Sequence, residues 1–366
     1  MLEEYAEDLA SIRELARRVL EDTAGPEHLK ALLDEPGSFD RALWGQAVEQ
    51  GWPAVSIPAD ADGLGLSWSG LSVLSEEVGR ITASLPLTAN ALAAHAVLKK
   101  NAGAGDDTVA ALVSGDKIAT LALGDPGDSG LDKSPSARFA NGRLSGEKAP
   151  AAFAAVADLA IVSAEDGSGV ALFLVQLDQP GVSREIVPTY DNSRAVAALT
   201  FANADAIRLG GADALADLSS LAALVCAFEQ IGGTQASLDM AVAYAKERYA
   251  FGQPIGHFQG IKHKLAEMYC LLEIARGCAG DALAAWEYGQ DNRHELASAA
   301  RIGATKAYNY AAQENLHVHG GMGVTWEAMP HHHYRRARML ALEFGSVGYW
   351  RERLLGELLA KPAVVE

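Results

Sequence analysis

The chain has 366 residues, enough for two or three folding units, and its 49% hydrophobic and 21% charged content is that of a globular protein with a sizeable core. A formal net charge of −17 argues against nucleic acid or an anionic membrane as a partner, since both require basic surface. Cys226, Cys270 and Cys278 fall in helical stretches without metal-type spacing and read as small apolar residues in a reducing compartment. The acidic start is unlike a signal or transit peptide and no uninterrupted apolar run would span a bilayer, so a cytoplasmic location is expected.

From the N-terminus to about residue 115 the pattern is helical. Leu9, Ile12, Leu15, Ala16, Val19 and Leu20 recur at helical spacing, and Asp40 is a candidate N-cap for a helix that carries Trp44. Gly51-Trp52-Pro53 and the run from Pro58 to Gly65 form a turn-rich loop before a helix over 69–80. Around Asp116 the period shortens. Residues 117–123, 157–162, 169–175 and 195–201 are short apolar or alternating runs, separated by Asp125-Pro126-Gly127, Asn141-Gly142 and Gln179-Pro180-Gly181. Asn141-Gly142 suits a type I′ turn in a hairpin over 138–146. From about residue 212 the chain is helical again, with long helices expected over 218–247, 260–290 and 295–317 and one or two shorter ones after them. The division is therefore 1–115 helical, 116–211 a compact β unit, and 212–366 a four-helix bundle.

Between the first two bundle helices lies Tyr244-Ala-Lys-Glu-Arg248-Tyr-Ala-Phe251-Gly-Gln-Pro-Ile-Gly-His-Phe-Gln259. Gly252 offers a C-terminal cap and Pro254 cannot continue the helix. An Arg held at such a corner beside backbone donors suits a pyrophosphate, because guanidinium grips phosphate oxygens in pairs. A helical hairpin with a capping Arg explains the same spacing.

The segment Tyr-Ala-x-x-Arg-x-x-Phe-Gly-x-Pro-Ile-x-x-x-Gln, followed by Lys-Leu-Ala-Glu-Met268, closely resembles the C-terminal signature of the acyl-CoA dehydrogenase family. His317-Val-His-Gly320-Gly321-Met-Gly323 is similar to that family's Gln-x-x-Gly-Gly-x-Gly segment, and Gly51-Trp52 with the 58–65 loop resembles its N-terminal loop, with Asp62 in place of the first loop glycine. The resemblance implies an N-terminal helical domain, a central β-barrel and a C-terminal four-helix bundle. It implies FAD as cofactor, with Arg248, Phe251, Gln259, His317, Gly320 and Gly321 at the dinucleotide, largely across a subunit interface. It further implies an acyl-CoA substrate, re-oxidation by electron-transfer flavoprotein or a similar acceptor, and assembly into homo- or hetero-oligomeric dimers and tetramers.

Against that pattern the chemistry is incomplete. The family oxidises an acyl-CoA at its α and β carbons, a carboxylate removing the α proton while hydride leaves the β carbon for flavin N5. Matching Arg335-Arg336-Ala337-Arg338 to the family's last conserved segment puts Phe344 at the base position, with Glu343 one residue early as the candidate catalytic acid. The alternative family position on the first bundle helix falls on Ala222, and Glu229, roughly two turns on, reads as structural. Leu123-Gly-Asp125-Pro-Gly-Asp-Ser129 and Ala149-Pro-Ala-Ala-Phe153 depart from the motifs that hold the flavin ring, lacking the usual hydroxyl and displacing the aromatic. Heteromeric relatives of the steroid side-chain and pimeloyl-CoA type pair a base-carrying chain with a degenerate one, which these features resemble. The expected function is thus FAD-dependent α,β-dehydrogenation of an acyl-CoA as one subunit of a hetero-oligomer. The alternatives are a catalytically silent partner and an oxidase of the same fold. His317, His319 and His331-His332-His333 invite a metal reading, but no cysteine accompanies them and none is assigned. The Arg335, Arg336, Arg338 cluster suits either CoA or FAD phosphates or salt bridges across the bundle, and the structural role is slightly favoured.

Overall fold

The apolar positions of the first hundred residues sort into helices in the computed structural model, which describes residues 2–23, 26–103, 105–128, 130–131 and 135–360. In chain order they are α1 (Leu2–Thr23), α2 (Pro26–Asp34), α3 (Arg41–Glu49), α4 (Ser67–Arg80), α5 (Leu87–Lys100) and α6 (Asp107–Val113). Asp40 caps α3 as its sequence position suggests, its carboxylate accepting from the Leu43 amide at 2.9 Å.

Eight strands follow: β1 (Ala119–Ala122), β2 (Arg138–Ala140), β3 (Arg143–Ala151), β4 (Leu159–Glu165), β5 (Val170–Gln176), β6 (Val182–Ile186), β7 (Ala197–Asp205) and β8 (Ile207–Gly210). Asn141 and Gly142 have φ of 52° and 78°, the left-handed pair that a type I′ turn between β2 and β3 needs. The strands form one sheet in the order β6-β7-β3-β2-β4-β5-β8, with β1 parallel to β4. The expected barrel does not close. β6 ends the path and exposes Ser183, Arg184 and Glu185, the charged, solvated character of a protected edge. The centre of the sheet is buried on both faces. Along β4, Ala160, Val162 and Ala164 face a core shared with α1, α3 and α4, while Leu159 and Ile161 face a second core shared with α5 and α6.

The C-terminal part comprises α7 (Ala212–Glu247), a two-stranded hairpin of β9 (Tyr249–Ala250) and β10 (Gln253–Pro254), α8 (Gln259–Glu287), α9 (Arg293–His319), α10 (Pro330–Leu340) and α11 (Val347–Leu359). Gly252 does not cap α7. Arg248 is already extended, and Phe251 and Gly252, both at positive φ, form the hairpin tip instead. α7 and α9 run in the same direction, as the contacts Ser220–His294, Cys226–Arg301 and Gln230–Thr305 show. Their seam with α8 is built from Ala275, Ala279, Ala282, Ala300, Ala304 and Ala307, all fully buried, so the backbones approach closely. By length and composition α7 could cross a bilayer, but 78% of that stretch is buried inside the fold.

Glycines set the crossing of α4 on α7. A Cβ on Gly79 would lie 1.9 Å from the Glu229 carbonyl oxygen, and one on Gly232 would lie 1.8 Å from that of Glu76. Gly280 of α8, by contrast, has open space around its missing Cβ. Gly232→Ala should therefore lower unfolding stability by about 3 kcal/mol, the upper range for overpacking. Gly280→Ala should raise it by up to about 1 kcal/mol through helix propensity. Urea denaturation of the two variants checks both signs.

Candidate active site

Where the last strands hand over to the bundle, the chain buries five charged side chains together. Asp191 and Arg194 come from the turn between β6 and β7, Glu229 from α7, Arg336 from α10, and Glu343 from the loop before α11. One guanidinium nitrogen of Arg194 donates to both Glu343 carboxylate oxygens at 2.8 Å, and the other donates to Glu229 at 3.0 Å. Arg336 donates to Glu229 at 2.8 Å and to Asp191 at 2.5 Å, and further to the carbonyls of Thr82 and Ala83 at the end of α4. Burial alone would lower the pKa of both arginines; Glu229 and Glu343 raise Arg194, and Asp191 and Glu229 raise Arg336. Burial likewise opposes ionisation of Asp191, but Arg336 prevails and holds its pKa below the usual carboxylate value. Every charge here has a partner of opposite sign, as burial requires.

Glu229 is thus structural, as its position on α7 suggests, and Arg336 is a buried hub of the arginine cluster. Arg335 instead stacks on Trp326, its guanidinium 5.2 Å from the ring centre, while Arg338 bonds Asn309 and Gln313. Arg194 and Asp191 were not evident from sequence. Their signal was a polar run, Asp191-Asn-Ser-Arg194, between two apolar strands.

Glu343 and Phe344 line a cavity of about 270 Å³ whose other walls come from Leu121, Leu123, Ala149 and Pro150. On its far side a space of only about 10 Å³ remains among Thr88, Ala89, Phe153, Arg194 and Phe344. Phe153 sits at φ 62° with the Arg194 guanidinium over its ring at 5.1 Å, and Phe344 sits at φ 59°. The two aromatics and the ion pair fill the room next to the candidate acid. Asp125 is drawn away from the cavity by Ser136 and by the fully buried Lys148, at 2.8 and 3.0 Å. Ser129 lies outside the described residues. Thr189 Oγ1, buried without a partner, is the hydroxyl this wall offers.

The other candidate residues gather at a different place, the far end of the bundle. Because α7 and α9 are parallel, the Arg248 corner and the Gly320-Gly321 loop emerge side by side, joined by Tyr244 stacked on His319 at 4.2 Å. Arg248 is exposed, and its guanidinium has no partner among the described residues. Phe251 is 96% exposed at the hairpin tip, edge-on to Phe258, and Gln259 is exposed at the first residue of α8. His317 bonds Glu314 at 3.2 Å, Gly320 has φ 60°, and nothing approaches the Cβ position of Gly320 or Gly321. Glu343 touches α9 at Arg301, so the corner lies ~27 Å further along that helix, eighteen residues at 1.5 Å each.

Two domain families match this chain, the acyl-CoA dehydrogenase N-terminal domain over residues 6–105 and the acyl-CoA dehydrogenase C-terminal domain over residues 210–358. This chain belongs to the acyl-CoA dehydrogenase family. It is 30% identical to acyl-CoA dehydrogenase FadE27 of Mycobacterium tuberculosis, with 98% of each chain covered. It is 29% identical to acyl-CoA dehydrogenase IpdE2 of Mycolicibacterium smegmatis over 96% of this chain and 99% of that one. Among solved structures it resembles a variant of the Tcur3481–Tcur3483 steroid ACAD, with a TM-score of 0.90, 30% identity and 97% and 98% of the two chains covered. It also resembles the ChsE4–ChsE5 complex from Mycobacterium tuberculosis, with a TM-score of 0.87, 28% identity and the same coverage.

Acyl-CoA dehydrogenases use FAD. The donor chemistry at the far corner suits the phosphate-and-adenosine half of such a dinucleotide: an unpaired guanidinium, an exposed aromatic, an exposed amide and unobstructed glycine backbone. The cavity beside Glu343 suits a flavin ring poorly. It is smaller than usual ligand sites, its walls are aliphatic, and its carboxylate is committed to Arg194.

Next to the ion cluster, burial pushes His332 and His333 down to about 4 and about 3, and the Tyr308 hydroxyl, kept protonated by burial, shares a 3.0 Å hydrogen bond with His333 Nδ1. In the unfolded chain both imidazoles take up protons near pH 6.5. Between pH 6.5 and about 4 the unfolded state therefore binds more protons, and stability falls as pH falls through that window. Urea midpoints at pH 7.5, 5.5 and 4.5 should decline in that order, and the decline should be shallower in a His332→Phe/His333→Gln variant. A flat profile in the parent chain would contradict the neutral buried imidazoles.

Proposed function

We propose that this chain is the degenerate subunit of a hetero-oligomeric acyl-CoA dehydrogenase, lending dinucleotide contacts to a catalytic partner while its own base position is closed. The observation that carries this reading is the Arg194–Glu343 ion pair. A base that abstracts an α proton needs a carboxylate free to reach substrate in a dry pocket. Here Glu343 is engaged by a buried guanidinium that also holds Glu229, Phe153 and Phe344 line the adjoining space, and Asp128, the other acid on the cavity wall, accepts from the Gly130 amide at 3.0 Å. Two of the similar structures are of paired or complexed chains by name, which fits a division of labour between subunits.

In that assembly Arg248 and Gln259, with Phe251, would hold the phosphate and adenosine part of FAD, and the Gly320-Gly321 backbone would let it approach, with His317 at the edge. When bound, FAD supplies the acceptor for the hydride from the β carbon, and an electron-transfer flavoprotein or similar carrier would re-oxidise it. Because the corner stands far from this chain's own Glu343 cavity, its natural client is a dinucleotide seated in another subunit.

A second reading is a self-sufficient dehydrogenase with Glu343 as base, favoured by the presence of Glu343 in the wall of the 270 Å³ cavity. Expression alone and with candidate family partners separates the two. The partner reading expects a colourless, inactive chain alone and a yellow, active complex on co-expression. In that complex Arg248→Ala should weaken FAD retention at least about tenfold, the worth of one charge-assisted hydrogen bond. A yellow homo-oligomer that turns over acyl-CoA on its own would overturn it. Glu343→Gln tests the ion pair separately: it should lower unfolding stability by about 2 kcal/mol, since it weakens the charge-assisted hydrogen bonding to Glu343 while Arg194 keeps Glu229 as its counter-ion.

A further inference from the structure

A second cavity, of about 720 Å³, lies on the other side of the molecule's centre, between α4, α5, the start of α7 and the end of α8. It shares no lining residue with the cavity beside Glu343. Its body is apolar and aromatic, formed by Trp68, Leu92, Leu172, Leu218, Leu221 and Trp286. Its volume is that of a site for a sizeable organic molecule. His95 adds to this wall without adding charge: its ring lies 4.2 Å from Trp68, its Nε2 bonds the Ser56 carbonyl at 3.1 Å, and burial pushes its pKa down to about 4. One wall group lacks a partner. Trp286 Nε1 is a buried donor with no acceptor among the described residues.

The rim differs from the body. Lys99 and Lys100 come from the last turn of α5, and Arg293 lies over Trp286 at 5.3 Å. Asp213 and Asp217 also stand there, but Asp217 already meets Lys99 at 2.5 Å, His294 at 3.3 Å and Arg293 at 3.5 Å. Lys100 has no ion-pair partner among the described residues. α7, a helix of 36 residues, starts at the same rim from Gly211, which supplies no side-chain cap. Its first amides point at the opening, where Asp213 in the first turn offsets part of their positive charge, so Lys100 is the rim cation without an ion-pair partner among the described residues. In a chain of net charge −17, this is a place where cations and a helix start meet over an apolar hole.

We propose that this cavity binds an amphiphilic monoanion, a free hydrophobic carboxylate whose hydrocarbon part lies between Trp68 and Trp286 and whose head meets Lys100 and the start of α7. The inference does not depend on the proposed subunit role, because it uses none of the residues of the Glu343 cavity or the Arg248 corner.

The fluorescent anion anilinonaphthalene sulfonate is a suitable probe on the full-length chain. It should bind saturably at one per chain and be displaced by dodecanoate, with neither dodecanol nor dodecyltrimethylammonium matching it. Lys100→Glu should weaken dye and dodecanoate at least about fivefold, the effect of reversing one surface charge. Ala96→Trp, which fills the cavity from α5, should abolish both with an unchanged circular dichroism spectrum. If Ala96→Trp does not fold, the surface variant decides alone. Displacement by the cation as readily as by dodecanoate, no displacement by dodecanoate, or unchanged affinity in Lys100→Glu would overturn the proposal.

Discussion

The contact on which the architecture most depends is Arg336 with its ring of acceptors. One guanidinium joins the end of α4 through two carbonyls, the β6–β7 turn through Asp191, and α7 through Glu229. Three stretches far apart in sequence are thereby fixed at a single point. Arg194 extends the link to Glu343 and the loop before α11. Buried ion networks add little stability over apolar packing, but breaking one member is costly, so they bind geometry more than they bind energy. Here the geometry they fix is that of the wall around Glu343.

The same network sets the environment of Glu343. A carboxylate recruited into an ion cluster serves as a structural anion; a carboxylate left free in a dry pocket serves as a base. Glu343 has the first environment although its place in the chain is next to that of the second. The Arg248 corner stands apart from that network, because it sits at the far end of two parallel helices and depends on where α7 and α9 stop.

Much of the fold was legible in the sequence because its signals are local. The alternation of residues 157–175, the Asn141-Gly142 turn, the Asp40 cap and the three long helical periods each produced the element they imply. Tertiary effects were less legible. α7 begins six residues before its expected start, where Leu215 and Leu218 already have a core to enter. Gly252, which reads as a helix cap, became a hairpin tip because Arg248 had turned extended four residues earlier. Whether the sheet would close depended on the partners of β6 and β8, which no single strand records.

The candidate site shows the same limit more sharply. The sequence places Glu343 next to the base position, and a one-residue loop shift could bring it into service. What decides the matter is Arg194, 149 residues away in a turn whose Asp and Ser look like ordinary turn formers. The cation there makes Glu343 half of a buried pair, beside two phenylalanines at positive φ. What holds Glu343 is thus a partner remote in sequence, which no local motif records. The charges buried beside a candidate acid therefore bear on its availability as directly as its position in a motif does.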